Sequence, residues 1–296
     1  MPDTIPLAAP PAASPAAPYA ASSVAPHAAT DLLARRHRTP AAPPPGWSEV
    51  LATILAHRSV RHFLPVPLAP GTVELLVAAA QSAPTSSNLQ LWSVVAVEEP
   101  AHKARLAHLA GQQAFIERAP LLLVWLADLH RIGALAAARG ASVDGTHYLE
   151  EFIVGMVDAA LAAQNALTAA ESLGLGGVYI GAVRNLPEQI AAELALPAHV
   201  FAVFGMAIGW PDAAAGSEVK PRLPVDVVLH REHYRAAADT AAIAGYDATL
   251  RGFQREQAIR ETDWTAQCIA RVKDATSLRG RERMRDALAA LGFELR

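Results

Sequence analysis

The stretch AQNALTAAESLGLGGVYIGAVRN (163–185) passes from one kind of structure to another within a few residues. Its alanine-rich first half continues the apolar pattern of Phe152, Val157, Leu161 and Leu167, which predicts a long helix over 146–173. Gly174 stands where a left-handed cap would end that helix, and Val178–Ile180 begins a strand. Gly174, Gly176 and Gly177 do not make a dinucleotide fingerprint. Tyr179 takes the last glycine position of GxGxxG, and the run follows a helix rather than a strand.

Outward from this stretch, helices and strands alternate. Trp92–Val97 has strand composition and length, and 121–127 and 200–208 are continuous apolar runs of the kind found in strands buried on both faces. Helices are predicted over 47–56, 71–80, 101–111 and 187–196, the last with Pro187 near its start and Pro197 after its end. The middle of the chain therefore predicts a sheet covered by helices. From His230 onward the sequence is charged, Arg-rich and helical, so a domain over 47–296 ends in a helical excursion from about 230. The first 46 residues differ: they hold eleven of the 22 prolines, with alanine at most other positions, and predict a disordered tail. Within it, 31–38 has the composition of a helical turn, whose Arg35, Arg36 and Arg38 suit either a partner contact or a solvated linker.

Composition removes several function classes. The 296 residues are 52% hydrophobic with a net charge of −3, too apolar for a disordered chain and without the basic field that draws proteins to nucleic acid. A single cysteine, Cys268, excludes an intrachain disulfide framework and a cysteine zinc site. His230 and His233 have helical ligand spacing but no HExxH pattern, so no metal is expected. The chain begins with neither a basic region nor an apolar core of the secretory kind, and the expectation is a soluble, cytoplasmic protein.

Three polar clusters remain. HRSVR places His57, Arg58, Ser59 and Arg61 within five residues, and KPRLP presents Lys220 and Arg222 on either side of a stiffening proline. Either alone reads as a solvated basic turn. Together, in an acidic chain, they point to a bound phosphate. The loop SSNLQ offers Ser86, Ser87, Asn88 and Gln90, uncharged groups suited either to an ordinary turn or to the edge of a flat heterocycle. No carboxylate pair, P-loop or GxSxG is present, so a cofactor would have to bring the reactivity.

HRSVRHF (57–63), SSNLQ, the 163–185 stretch, FGMAIGWP (204–211) and KPRLP (220–224) together resemble the NADPH-dependent flavin reductase and oxygen-insensitive nitroreductase family of the major, group A type. The similarity runs from about Trp47 to the C-terminus. It implies an α+β, nitroreductase-like fold with a central, mostly antiparallel sheet surrounded by helices, and a homodimer with two FMN sites at its interface. It also implies that His57, Arg58, Ser59, Lys220 and Arg222 border the FMN phosphate and that Arg61 faces the N1–C2=O edge of the ring. Ser87, Gln90 and Gln113 would approach the ring, and Tyr179, Ile180, Gly181 and Ala182 would form a backbone wall beside it. Ala182 departs from the family, which often has glycine there. In similar proteins arginines placed like Arg255 and Arg260 hold the 2′-phosphate of NADPH, although here a charged helix surface explains them as well.

The implied activity is a ping-pong hydride transfer from NADPH through FMN to nitroaromatics, quinones or free flavin. A non-catalytic flavin store or redox sensor, and a reductive dehalogenase-like relative, are the competing readings.

Overall fold

The computed structural model describes residues 27–41, 44, 46–237 and 239–296. Four strands, β1 (Trp92–Val97), β2 (Leu121–Asp128), β3 (Gly176–Ile180) and β4 (Val200–Gly209), form one sheet in the order β1-β2-β4-β3. Every pairing is antiparallel. The two central strands are the two continuous apolar runs, because both of their faces are covered: all eight residues of β2 are buried.

The helices in chain order are α1 (His27–His37), α2 (Glu49–Ala56), α3 (Thr72–Gln81), α4 (Pro100–Leu109), α5 (Ala114–Arg118), α6 (His130–Ala137) and α7 (Leu149–Ser172). They continue as α8 (Pro187–Glu193), α9 (Val225–Val228), α10 (Thr240–Glu256), α11 (Trp264–Val272) and α12 (Met284–Ala290). One core lies under α7 and α3 around Trp125, Phe201 and Met206. A second lies on the opposite face around Leu106, Ile116 and Val124. α7 has the length and apolarity of a membrane span, but its small-residue stripe packs on the sheet. A β-carbon at Gly155 would already stand 3.2 Å from Ala127, Leu129 and the Leu91 carbonyl.

The glycines after α7 have separate tasks. Gly174, at φ +82°, ends the helix as expected. Gly176 and Gly177 make room: a β-carbon on Gly176 would lie 2.5 Å from Val60 Cγ2, and one on Gly177 2.6 Å from Leu167 Cδ1. They let the HRSVR segment and α7 approach the strand, which is why the run resembles a nucleotide loop without being one.

Two expectations change. The disordered tail over 1–46 does not hold at His27–His37, which is helical, with Ala29 and Leu32 buried and Arg36 only 8% exposed. Proline and alanine content hid the few side chains that anchor it. Residues 1–26, 42, 43 and 45 of that segment lie outside the described residues. The C-terminal region is helical only from Thr240, since the described residues between His230 and Asp239 form bends and coil.

Gly176→Ala is expected to lower stability by about 1–3 kcal/mol through overpacking against Val60. Urea unfolding would show this as a lower midpoint at unchanged slope. A midpoint equal to the parent protein's would mean that Val60 yields freely.

Candidate active site

β3 is an edge strand, and its open edge collects the site. Ser59 bridges Gly177 in parallel, with Val60 N donating to the Gly177 carbonyl at 3.0 Å. The far end of the segment is tied to the exit of β4, where Leu64 N donates to Trp210 O at 2.8 Å and Asp212 N to His62 O at 3.0 Å. This explains why FGMAIGWP accompanies HRSVRHF: one receives the other. His57 caps α2, and its Nδ1 lies 2.6 Å from Glu171 Oε1 on α7.

The KPR segment is brought to the same place. Arg222 N donates to Arg36 O at 3.0 Å, and Arg36 donates to the carbonyls of His57 (2.8 Å) and Lys220 (3.0 Å). Tyr246 Oη on α10 donates to Pro221 O at 2.9 Å. Partial burial, then Arg61 and Arg222, hold the Lys220 ammonium below its ordinary value. Burial and Arg222 do the same to Arg36, against the pull of Glu171. Among the described residues none of Arg58, Arg61, Lys220 and Arg222 makes an ion pair. Arg58 Nε instead donates to Ser217 Oγ at 3.1 Å, and Arg222 turns back on the Lys220 and Pro221 carbonyls. Such a group of cations, without a described carboxylate partner, attracts anions.

The residues expected to form a wall lie further along the same strand. Tyr179 and Ile180 end β3, and Gly181 and Ala182 open a tight turn over Gly181–Asn185. Four strand steps separate Gly177 from Gly181, about 13 Å, so the cations and the wall lie at two ends of one track. Tyr179 stacks edge-on against Phe204 at 5.0 Å and bonds Gln164 at 3.3 Å. Burial, with Glu171, pushes its phenol up.

Other predicted residues stand apart from this track. The SSNLQ loop is drawn to the middle of α7: Asp158, 1% exposed, accepts from Ser86 N (3.3 Å) and Leu91 N (3.0 Å). Arg131 on α6 donates to the Gln90 carbonyl at 3.1 Å. These anchors hold Ser87, Asn88 and Gln90 at φ of +48°, +55° and +52°, a region that non-glycine residues visit at a cost. No described hydrogen bond joins this loop to the cation cluster. Gln113 precedes α5 and donates to Ala110 O at 3.0 Å. Arg255 is already occupied: its guanidinium holds Glu261 with two bonds of 3.1 and 2.8 Å. Arg260 is exposed and makes no described side-chain hydrogen bond.

Sequence reasoning passed over Asp158 and Arg131, and read Arg36 as a partner contact or part of a solvated linker. Asp158 had one signal, a lone carboxylate in an apolar helical run; Arg131 had none. It also did not group Arg184, Arg271 and Arg281. Arg184 bonds the Val203 carbonyl and Arg281 Nε donates to Asn185 Oδ1 at 2.8 Å. Burial and their neighbouring guanidiniums lower both.

The sequence pattern of the Nitroreductase family matches residues 54–210, and that of the Nitroreductase family, C-terminal domain, matches 220–296. An FMN reductase (NADPH) of Bacillus subtilis is 38% identical over 227 residues, 75% of this chain and 90% of the relative. An oxygen-insensitive NADPH nitroreductase of Salmonella typhimurium is 39% identical over 203 residues, 69% of this chain and 81% of the relative. The solved structure of an NADPH:FMN oxidoreductase from Vibrio harveyi complexed with NAD+ superposes with a TM-score of 0.75 at 34% identity, covering 83% of this chain and 99% of that one.

Asp158→Ala should release the loop. Amide exchange at Ser86 and Leu91 is expected to quicken by about 10- to 100-fold, the loss of hydrogen bonds to a charged acceptor worth about 1.5–3 kcal/mol. Unchanged exchange would mean that the loop holds its shape without the carboxylate.

Proposed function

Because the chain belongs to the nitroreductase family, we propose that it is an FMN-dependent NADPH oxidoreductase acting on nitroaromatics, quinones or free flavin. The observation that carries this reading is the set of cations without carboxylate partners at one end of the β3 edge, with a backbone wall at the other. A flat cofactor with an anionic end fits such a track. FMN held there would supply the redox chemistry of a ping-pong hydride transfer between NADPH and an acceptor.

His57, Arg58, Ser59, Lys220 and Arg222 hold the phosphate. An anion there offsets the burial, and then the repulsion from Arg61 and Arg222, that hold the Lys220 ammonium below its ordinary value. Arg61 supplies positive charge where the reduced ring is negative. Tyr179, Ile180, Gly181 and Ala182 present the strand and turn along the ring, and Gln113 approaches it from before α5. The chain needs no acid–base pair, since substrate protons come from water.

The SSNLQ loop, with Ser87 and Gln90, does not meet the cluster within one chain, and a homodimer would complete the site at its interface. Val50 and Ile54 of α2 (61% and 47% exposed) and Ile153, Val157 and Leu161 of α7 (47%, 50% and 40%) form the apolar face for it. The reducing compartment that a single free cysteine suits is the cytoplasm. Arg255 and Arg260 receive the 2′-phosphate of NADPH, with Glu261 giving up its hold on Arg255 as the dianion arrives.

Two measurements test this. Under anaerobic conditions NADPH should bleach the flavin spectrum faster than NADH, and a quinone should restore it; Arg255→Ala should raise KM for NADPH about tenfold and spare NADH. A flavin left oxidised by both nucleotides would make the protein a store or sensor. An unchanged KM would move the nucleotide's phosphate to Arg184, Arg271 and Arg281. For the dimer, Val157→Arg should convert a species of twice the chain mass into one of single mass by light scattering, with loss of flavin; a monomeric parent protein with full flavin would reject the interfacial site.

A further inference from the structure

α1 lies outside both matched family segments, 54–210 and 220–296, yet it reaches into the cation cluster. We infer that Arg36 of α1 is a positioning residue that sets the phosphate end of the site without touching the phosphate. This rests on the reading of the cluster as the FMN phosphate site.

The geometry is specific. Arg36 donates to Leu55 O at 2.9 Å, His57 O at 2.8 Å and Lys220 O at 3.0 Å, and its own carbonyl accepts from Arg222 N at 3.0 Å. Leu55 and His57 are at the end of α2, where carbonyls lack helical partners and positive charge is favoured. Lys220 and Arg222 come from a segment more than 160 residues away in sequence. One guanidinium and one carbonyl thus join the two halves of the anion site through their backbones. Its planar fork, fully extended over three carbonyls, is a geometry that lysine cannot copy in full.

The join is needed because the cluster repels itself. Arg61, Lys220 and Arg222 face one another without a carboxylate, and Arg36 adds a fourth cation beside Arg222. Hydrogen bonds to backbone carbonyls, from the Arg36 and Arg222 guanidiniums and Tyr246 Oη, hold the two segments in place without neutralising them. α1 and the residue that follows it are held down at separate points: Arg35 pairs with Glu218 at 2.8 Å, Arg38 just after the helix pairs with Glu256 at 2.6 Å, and Arg38 lies 5.3 Å above the Phe253 ring. Exposed pairs of this kind contribute little singly, but together with buried Ala29 and Leu32 they fix the helix across the KPR segment and α10.

The test compares FMN with riboflavin, which lacks the phosphate. Full-length apoprotein is titrated with each, following flavin fluorescence. The parent protein should prefer FMN. In Arg36→Met the Kd for FMN should rise about tenfold or more while the Kd for riboflavin stays the same, and Arg36→Lys should fall between. An equal loss for both flavins, or an unchanged FMN-to-riboflavin ratio in both variants, would overturn the proposal. Should Arg36→Met fail to fold, the ratio in Arg36→Lys decides. A parent protein with no preference for FMN would instead overturn the phosphate reading beneath it.

Discussion

The hydrogen bond from Val60 N to the Gly177 carbonyl is the contact on which the site depends. It exists because β3 is an edge strand with unpaired groups, and because Gly176 presents no β-carbon to Val60. It sets HRSVR beside the sheet, sends His57 toward Glu171, and puts the arginines on the side that the KPR segment reaches. An edge that would otherwise invite another chain is used internally.

Holding several cations together without an anion is an electrostatic cost, and the protein meets it with backbone geometry rather than with carboxylates. Glu171 approaches His57, yet among the described residues Arg58, Arg61, Lys220 and Arg222 have no acidic partner. Had acidic side chains neutralised them, a phosphate would have to displace those first. Arg255 shows the opposite arrangement, with Glu261 already occupying its fork. The two anion sites proposed for one protein thus differ in readiness: the first is open, the second must exchange one anion for another.

Much of the fold was legible. The two central strands follow from apolar runs of strand length, because burial on both faces leaves no polar alternation to confuse with a helix, whereas β1, only partly buried, follows from its strand residues and length. The end of α7 follows from Gly174. The pairing of the two basic segments was legible, and the tie between them through Arg36 was not, since Arg36 lies in a segment whose composition predicts disorder. Anchoring there comes from two buried apolar side chains and three arginines, too few to alter the average character of the stretch. The SSNLQ loop was legible as a loop. Its strained conformation depends on Asp158, 70 residues downstream of Asn88, and no local pattern carries such a pairing.

α7 bonds three segments in sequence order: Asp158 the SSNLQ loop, Gln164 Tyr179 of β3, and Glu171 His57 at the end of α2. From Asp158 to Glu171 is about 20 Å at helical rise. The helix therefore acts as a ruler, with the loop, β3 and the end of α2 as its marks. A ruler tolerates changes of surface but not of length. One residue inserted or removed between Asp158 and Glu171 would turn one mark by about 100° against the other. Descendants of this chain are free to vary α7 by substitution, while the number of residues between those two carboxylates is locked.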